Sequence, residues 1–530
     1  MKNQVLRNIL SNYGVNLAAM ALGFLVVPFL IGKLGKEAFG LIVLAESMIG
    51  FFEIGTISVR VALSRHAAFA LAQGDSKGFV EYLSTGRCLL FGSAAFVLTA
   101  GLAMSLNFPR IFNVPAVFAS DSRALFSLIV LAFSMTVPNI VFWSALYAKE
   151  RFDLLNLSMS LGLILRAVAL FVCYSVLPER YLSLGTYGVI YLAMVWTQNL
   201  LVWFWHRRVF PDMKLGWRHF TRGKVREILS MSMHTSLARV SNLLYDNTAN
   251  FIINILWGPA FNTMYSVSLK VPQLMKRLFT DTSWTLTPTF TALAAQGRKE
   301  AFRRLLFLYT KVVAAITTPI CFVLIFFGAP LIRMWVGPGF DAASRLLWFH
   351  VIPLFVSVPF SVCGCITNAY AKVKLPSRVA FAIAVANVAL GLGLGWGLGW
   401  KLTGIAVASS ISISIYSVIY VPYYACRVGD IPYLRYWVDG FLRVFLLAGA
   451  CFALPFFWIR SGYFHGAWSW LAVGTLAAAY LPGIYSFVLS PREKLQLQEL
   501  LRGFMPPLQR LMPEEPVFVA QRTVKQESSR

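Results

Sequence analysis

Long apolar segments recur along almost the whole chain of 530 residues, and their length limits the folds that it can adopt. A helix needs about 20 mostly apolar residues to cross the hydrocarbon core of a bilayer, and about fourteen segments of this chain reach that length. The predicted spans, numbered 1 to 14 in chain order, lie near 9–31, 39–63, 80–106, 122–147, 153–177, 185–205, 228–256, 259–284, 304–328, 342–371, 377–399, 402–426, 437–459 and 466–489. They are continuously apolar, without the alternation that marks the strands of a membrane β-barrel. The sequence therefore predicts an all-α polytopic membrane protein with about 14 transmembrane helices.

Short motifs repeat at one constant offset, which indicates an internal duplication. "QGDSKGF" (73–79) aligns with "QGRKEAF" (296–302), and "YAK" (147–149) aligns with "YAK" (370–372) at the same offset. "IFNVP" (111–115) aligns with "MWVGP" (334–338) at the same offset, and "LGKEAFG" (34–40) lies opposite "WGPAFN" (257–262) at about that offset. Spans 1–6 and 7–12 are therefore predicted to be two copies of a six-helix unit. Because each copy has an even number of helices, the copies should be parallel repeats that form two lobes, with spans 13 and 14 as an addition.

Positive charge in the loops predicts the orientation. Lys and Arg are concentrated in loops 149–153, 206–227, 296–304 and 371–378, which we expect to be cytoplasmic together with both termini. The predicted domains are an N-lobe at 1–210, a C-lobe at 211–430, helices 13 and 14 at 431–489, and a cytoplasmic tail at 490–530. Within this tail, "PREKLQLQELLRGF" has the spacing of an interfacial amphipathic helix.

Composition excludes several classes of protein. Lys and Arg number 47 against 22 Asp and Glu, for a net charge of +25. A nucleic-acid partner is not expected, because a basic patch for it needs a soluble surface that this chain largely lacks. The seven cysteines form no CxxC pair and the histidines show no ligand spacing, so no metal is expected. Without a P-loop or a large extramembrane segment, the sequence predicts neither an enzyme, nor a catalytic residue, nor a cofactor.

Charged residues within the predicted spans are the candidate functional residues. Glu46, Glu53 and Arg60 are seven residues apart in span 2, so they share one helical face. An uncompensated charge in the membrane costs about 2.5–3.5 kcal/mol on insertion scales, so such charges should gather in a polar cavity. The candidates for substrate binding are Arg60, Arg239, Lys270, Arg277, Asn12 and Asn16. The candidates for ion coupling are Glu46, Glu53 and Asp246.

Some of these charges could instead have purely structural roles. Arg60 and Arg277 could extend to lipid headgroups from the ends of their helices. Glu46 could pair with a neighbouring base at the outer interface, and Arg166 and Lys311 are further intramembrane bases. The excess of bases suits an anionic substrate, because phosphate is well matched by Arg and Lys.

The opening of the chain resembles a known family. Residues 12–75, with Pro28 near the end of span 1, "LGKEAFGL" at the start of span 2 and then "GFFEIGTISVRVALSR", are similar to Wzx-type polysaccharide flippases. "YAKERFD" (147–153) is similar as well. These flippases belong to the multidrug/oligosaccharidyl-lipid/polysaccharide exporter superfamily. Glu46 and Glu53 depart from the usual pattern of span 2, which is mostly apolar in that family.

The resemblance implies a fold and a function. The fold is two six-helix lobes in a V, with a cavity lined by helices 1, 2, 7 and 8. The function is to move an undecaprenyl-pyrophosphate-linked oligosaccharide across the bacterial cytoplasmic membrane by alternating access, for O-antigen or exopolysaccharide synthesis. An H⁺ or Na⁺ gradient would drive transport without ATP. The implied partners are this lipid-linked substrate, the bilayer, a polysaccharide polymerase and a chain-length regulator.

Three alternative functions are compatible with the same residues. A multidrug exporter of the same superfamily would need acids such as Glu46, Glu53 and Asp246 in its cavity. A lipid II flippase would share the fourteen helices and the cationic cavity. A scaffold of a synthesis complex would transport nothing.

Overall fold

The computed structural model describes the backbone of residues 2–178, 181–213, 215–370, 372–453, 478–491 and 493–494. Within these ranges it describes every side chain except those of residues 2–13, 16–17, 55, 57, 231–239, 246, 280–282, 284–285 and 288. The described backbone is almost entirely helical and contains no strand. The prediction of an all-α polytopic membrane protein is therefore confirmed.

Five helices from the start of the chain form what we call the first helix set. They are α1 Lys2–Ala72, α2 Ser76–Ile111, α3 Ala119–Ala148, α4 Phe152–Val176 and α5 Leu184–Val209. In this set α3 packs on α2 and α5, while α1 packs on α2, α3 and α4. The first two predicted spans both lie in α1, which breaks at Gly35 with φ 84° and ψ 170°. A residue with a Cβ would be strained at that φ, so the glycine lets the chain change direction without a loop.

Ten further helices form the second helix set. They are α6 Arg222–Trp257, α7 Pro259–Thr285, α8 Thr287–Ala295, α9 Lys299–Val336, α10 Asp341–Val351, α11 Leu354–Ser357, α12 Cys363–Ala369, α13 Lys374–Leu392, α14 Lys401–Ile413 and α15 Val421–Val428. Here α6 packs on α7 and α13, and α10 packs on α7, α9 and α14. The two sets meet where α1 packs against α6 and α7.

Aligned glycines in the two sets share a backbone conformation. Gly258, between α6 and α7, is the counterpart of Gly35 in the motif alignment, and its φ of 89° and ψ of 176° are close to those of Gly35. Gly74 and Gly297 occupy one position of the aligned "QGDSKGF" and "QGRKEAF" motifs and have φ angles of 74° and 66°. These turns have the same geometry in both sets, as two copies of one unit would.

The predicted number of spans is not confirmed. Among the described residues, nine helices are long and apolar enough to cross a membrane. The predicted span 342–371 is interrupted, since Pro353 and Pro359 separate α10, α11 and α12 and a proline ends or kinks a helix. Helices α6 and α7 carry many polar and charged residues, and most of the predicted span 466–489 lies outside the described residues.

A buried ion pair attaches the end of the described chain to the second helix set. Three more helices follow α15, namely α16 Tyr433–Trp437, α17 Arg443–Ala448 and α18 Ala478–Val488. Beyond α18, Glu493 accepts hydrogen bonds of 2.9 and 2.8 Å from Nζ of Lys311 in α9, and both side chains are buried. Lys311 also donates to the carbonyl of Val488 at 3.3 Å. The predicted amphipathic helix of the tail lies mostly outside the described residues.

We expect Gly40→Ala to destabilise the contact between the helix sets. A Cβ at Gly40 would overlap the carbonyl oxygen of Pro259, which is backbone and cannot rotate away. Overpacking of this kind costs about 1–3 kcal/mol, so the midpoint of thermal unfolding of the detergent-purified protein should fall. Gly32→Ala, in the same helix, is the matched control because a Cβ there meets nothing within 4 Å. Equal midpoints for the two variants would contradict a close contact at Gly40.

We also expect Lys311→Met and Glu493→Gln to destabilise the protein when made singly. Each leaves a buried charge without its partner, which typically costs about 3–5 kcal/mol, while removing both charges is often close to neutral. Thermal unfolding should therefore show two unstable single variants and a double variant near the wild type. Asp341→Asn is the control, because the pair of Arg333 and Asp341 is 63% and 58% exposed and should contribute little. A double variant as unstable as the sum of the single variants would show that the ion pair is not the cause.

Candidate functional site

A cavity of about 620 Å³ lies where the two helix sets meet, between α1, α6, α7, α10 and α14. Its charged lining residues are Glu46 from α1 and Lys270, Lys276 and Arg277 from α7. The described lining thus holds three bases and one acid. It is also polar elsewhere, with Asn247, Asn250, Gln273 and His350 among its residues. The helices that the resemblance assigns to the cavity, spans 1, 2, 7 and 8, correspond to α1, α6 and α7.

The sequence of α7 explains how its bases reach the cavity. Lys270 and Arg277 are seven residues apart, so they lie two turns apart on one face of the helix. Lys270 crosses α1 at Gly23, where a Cβ would lie 3.8 Å from its Cε. Lys276 lies with its Nζ 5.7 Å from the ring centre of Tyr245, a cation–π contact with α6. Glycine on one helix and an aromatic ring on another therefore provide room and partial stabilisation for these cations.

Glu46 is bound from the side of the first helix set. Nη2 of Arg166 in α4 lies 2.6 Å from Oε1 of Glu46, and the hydroxyl of Tyr187 in α5 donates to the same oxygen at 2.6 Å. Arg166 also donates to the Tyr187 hydroxyl, and its guanidinium carbon lies 5.4 Å from the ring centre of Tyr191. Lys270 is close enough to attract Glu46 electrostatically. The carboxylate thus lies between a base of the first helix set and a base of the second.

Two of the predicted site residues do not line this cavity. The side chain of Glu53 is exposed, and the guanidinium carbon of Arg60 lies 5.0 Å from the ring centre of Trp143 in α3. Seven-residue spacing keeps Glu46, Glu53 and Arg60 on one face, but each step also moves about 10 Å along the helix. The expectation of one shared cavity is therefore corrected for Glu53 and Arg60, which lie farther along α1.

Four other predicted residues have side chains outside the described set. Asn12 and Asn16 belong to α1, and Arg239 and Asp246 belong to α6. Both helices contribute other residues to the cavity wall.

Some residues around the cavity were not assigned a role from the sequence. The position of Arg166, as an isolated base inside an apolar span, indicated a role, but nothing in the sequence linked this residue to Glu46. Tyr187 had no signal at all. Asn250 of α6 donates to the hydroxyl of Ser47 at 2.8 Å. The polar composition of α6 is the sequence feature that could have predicted its polar side chains as cavity residues. Among the described residues, no group of three or more His, Cys, Asp or Glu could hold a metal ion.

Polar contacts join the helix sets beside the cavity, on the side of Gly35 and Gly258. Asn262 of α7 donates to the carbonyl of Gly40 at 3.1 Å, and Thr263 donates to the carbonyl of Lys36 at 2.5 Å. Asn254 of α6 donates to the carbonyl of Phe112 at 2.5 Å. These hydrogen bonds cross the boundary between the sets, so they hold α1 and α2 against α6 and α7 beside the cavity.

Comparison with known proteins identifies the class of this chain. The profile of a family described as "Polysaccharide biosynthesis protein" matches residues 33–345. The uncharacterized membrane protein EpsK of Bacillus subtilis is 22% identical over 423 residues, which are 79% of this chain and 83% of EpsK. A Shigella flexneri protein provisionally named an O-antigen transporter is 24% identical over 271 residues, or 50% of this chain and 62% of that protein.

A solved structure has the same fold. The lipid II flippase MurJ, in an inward closed conformation, superimposes with a TM-score of 0.62 at 16% identity, over 91% of this chain and 98% of MurJ. The resemblance to Wzx-type polysaccharide flippases is thereby confirmed. The chain is therefore a multi-pass membrane transporter that belongs to the polysaccharide biosynthesis protein family.

Proposed function

We propose that this transporter moves an undecaprenyl-pyrophosphate-linked oligosaccharide from the inner to the outer leaflet of the bacterial inner membrane by alternating access. The observation that carries the proposal is the charge of the cavity, where Lys270, Lys276 and Arg277 face Glu46 as the acid of the described lining. The similarity to a protein provisionally named an O-antigen transporter supports a polysaccharide precursor as the cargo.

The chemistry of such a headgroup explains why it needs this cavity. Pyrophosphate is an anion and sugars carry many hydroxyls, and each polar group without a partner costs several kcal/mol in hydrocarbon. Lysine and arginine both bind phosphate through charge-assisted hydrogen bonds. The volume of about 620 Å³ lies within the range of about 300–1,000 Å³ that is usual for ligand pockets. A longer oligosaccharide would extend beyond it.

The same charges argue against a drug exporter for organic cations, which would meet three bases. The three bases fit a lipid-linked oligosaccharide and lipid II equally well, because both substrates have a pyrophosphate. We also place the Gly35 side of the cavity, where polar contacts join the helix sets, toward the outside, because the positive loops are expected to be cytoplasmic. We also propose that both termini lie in the cytoplasm. A polysaccharide polymerase and a chain-length regulator are the proposed partners that receive the transported oligosaccharide.

We expect the double variant Lys270→Gln/Arg277→Gln to transport at least about tenfold more slowly than the wild type, since it removes two phosphate-binding charges. Transport is measured in proteoliposomes with fluorescent undecaprenyl-pyrophosphate oligosaccharide, and dithionite quenching reports the outer leaflet. The control is Lys77→Gln/Arg304→Gln, which removes two exposed bases away from the cavity. Unchanged transport in the cavity variant would refute the proposal. Lipid II as competitor separates the two substrates, because inhibition at equal concentration would favour the lipid II alternative.

We further propose that an H⁺ or Na⁺ gradient drives the transport, with Glu46, Glu53 and Asp246 as candidate carboxylates. A carboxylate within a membrane protein can bind a cation reversibly when the alternate states expose it to opposite sides. An imposed gradient should accelerate transport in the same proteoliposomes, and the Gln or Asn variant of the coupling residue should lose only this acceleration. Rates that ignore both gradients would exclude ion coupling and leave headgroup transport intact.

A further inference from the structure

Glu46 has an unusual position, because it is an acid in a cavity whose other described charges are bases. Its two short contacts, with Arg166 and Tyr187, come from residues that do not line the cavity. Both contacts are to Oε1. Among the described residues no side chain donates a hydrogen bond to Oε2, and Lys270, in the cavity wall, attracts the carboxylate electrostatically.

The surroundings of Arg166 and Tyr187 fix both side chains in the positions from which they contact Glu46. Tyr187 is only 2% exposed, and its hydroxyl both donates to Glu46 and accepts from Arg166. The guanidinium of Arg166 lies against the rings of Tyr187 and Tyr191, at 5.2 and 5.4 Å from their centres. These contacts fix the direction from which Arg166 approaches the carboxylate.

We propose that Glu46 is an internal counter-anion of the cavity, and that Arg166 and Tyr187 are positioning residues that limit its competition with the anionic substrate for Lys270. The inference rests on the proposed function, since it takes the cavity to bind phosphate. It assigns to Arg166 and Tyr187 a role in substrate affinity, although neither touches the substrate.

The cavity has two electrostatic states, one empty and one with pyrophosphate bound. In the empty cavity the carboxylate partly neutralises Lys270, which lowers the cost of a half-buried cation. When a pyrophosphate enters, Lys270 turns to the phosphate, and Glu46 keeps Arg166 and Tyr187 as partners. The carboxylate therefore never has to remain unpaired in a site of low dielectric, where an isolated charge is very costly.

Removing Arg166 changes this balance. Lys270 then remains as the described cation that attracts Glu46 electrostatically, and a close Glu46–Lys270 pair would occupy the group that the phosphate needs. A purely structural role, in which Arg166 and Glu46 only fasten α4 to α1, predicts something different. In that case the loss of either partner damages the packing, and removing the second partner cannot restore binding.

Binding of undecaprenyl pyrophosphate without sugar, measured to the full-length protein in nanodiscs, tests the proposal. We expect Arg166→Gln to weaken binding about tenfold, within the range of coupling energies for residues in one charge network. Glu46→Gln should bind at least as well as the wild type. The double variant Glu46→Gln/Arg166→Gln should return to the affinity of Glu46→Gln, and Arg166→Lys should bind better than Arg166→Gln because it keeps the charge.

Several outcomes would overturn the inference. They are wild-type affinity in Arg166→Gln, weakened binding in Glu46→Gln, or a double variant that stays weak while its thermal unfolding is normal. If Arg166→Gln does not fold, Tyr187→Phe replaces it, with a smaller loss that Glu46→Gln should again remove. Lys270→Gln distinguishes a failure of the proposed function from a failure of this inference. Undiminished binding in Lys270→Gln would contradict the phosphate site itself. Lost binding in Lys270→Gln, together with an Arg166→Gln variant that Glu46→Gln does not rescue, would contradict only the role of Arg166.

Discussion

The cost of a charge inside the membrane determines where the intramembrane ionisable side chains of this transporter lie. Three arrangements meet that cost. Lys311 and Glu493 pair with each other in a dry site, Arg60 lies over the ring of an aromatic residue, and the bases of α7 face a cavity that water or a ligand can fill. Only the third arrangement leaves a charge available to another molecule. The location of the cavity, and not the presence of charge alone, therefore separates the charged side chains that a ligand could reach from those that are paired inside the protein.

Helix α1 connects the cavity to the contact between the helix sets. It supplies Glu46 to the cavity wall, and it packs on helices of both sets. Its glycines allow close approach, since a Cβ at Gly50 would overlap Nδ2 of Asn247. The carbonyls of Lys36 and Gly40 accept hydrogen bonds from α7. Movement of one set against the other would shift α1 against α6 and α7, so it would change the shape and the charge of the cavity together.

Much of the fold could be predicted from the sequence, because apolar length is a local property. The predicted span 153–177 corresponds to α4, Phe152–Val176, and span 185–205 lies within α5, Leu184–Val209. The site could be predicted only in part. Residue spacing predicts which side chains share a face of a helix, and this was sufficient to predict that Lys270 and Arg277 both reach the cavity. The depth of a side chain in the protein and its contact partners depend on tertiary packing, which spacing does not give. For that reason Arg60 was expected in the cavity, and the contact of Glu46 with Arg166, 120 residues away, could not be foreseen.

The anion-binding cavity proposed above has a difficulty of its own, because its clustered bases repel each other when no anion is bound. A carboxylate in the cavity wall reduces that repulsion, but a mobile carboxylate would also compete with the phosphate. Fixing it from behind, by Arg166 and Tyr187 at 2.6 Å each, allows one group to stabilise the empty cavity without closing it. The same arrangement bears on ion coupling, since a proton on Glu46 would leave both Arg166 and Lys270 with less compensation. Protonation and phosphate binding would then favour each other, because the arriving anion supplies the charge that the proton removes.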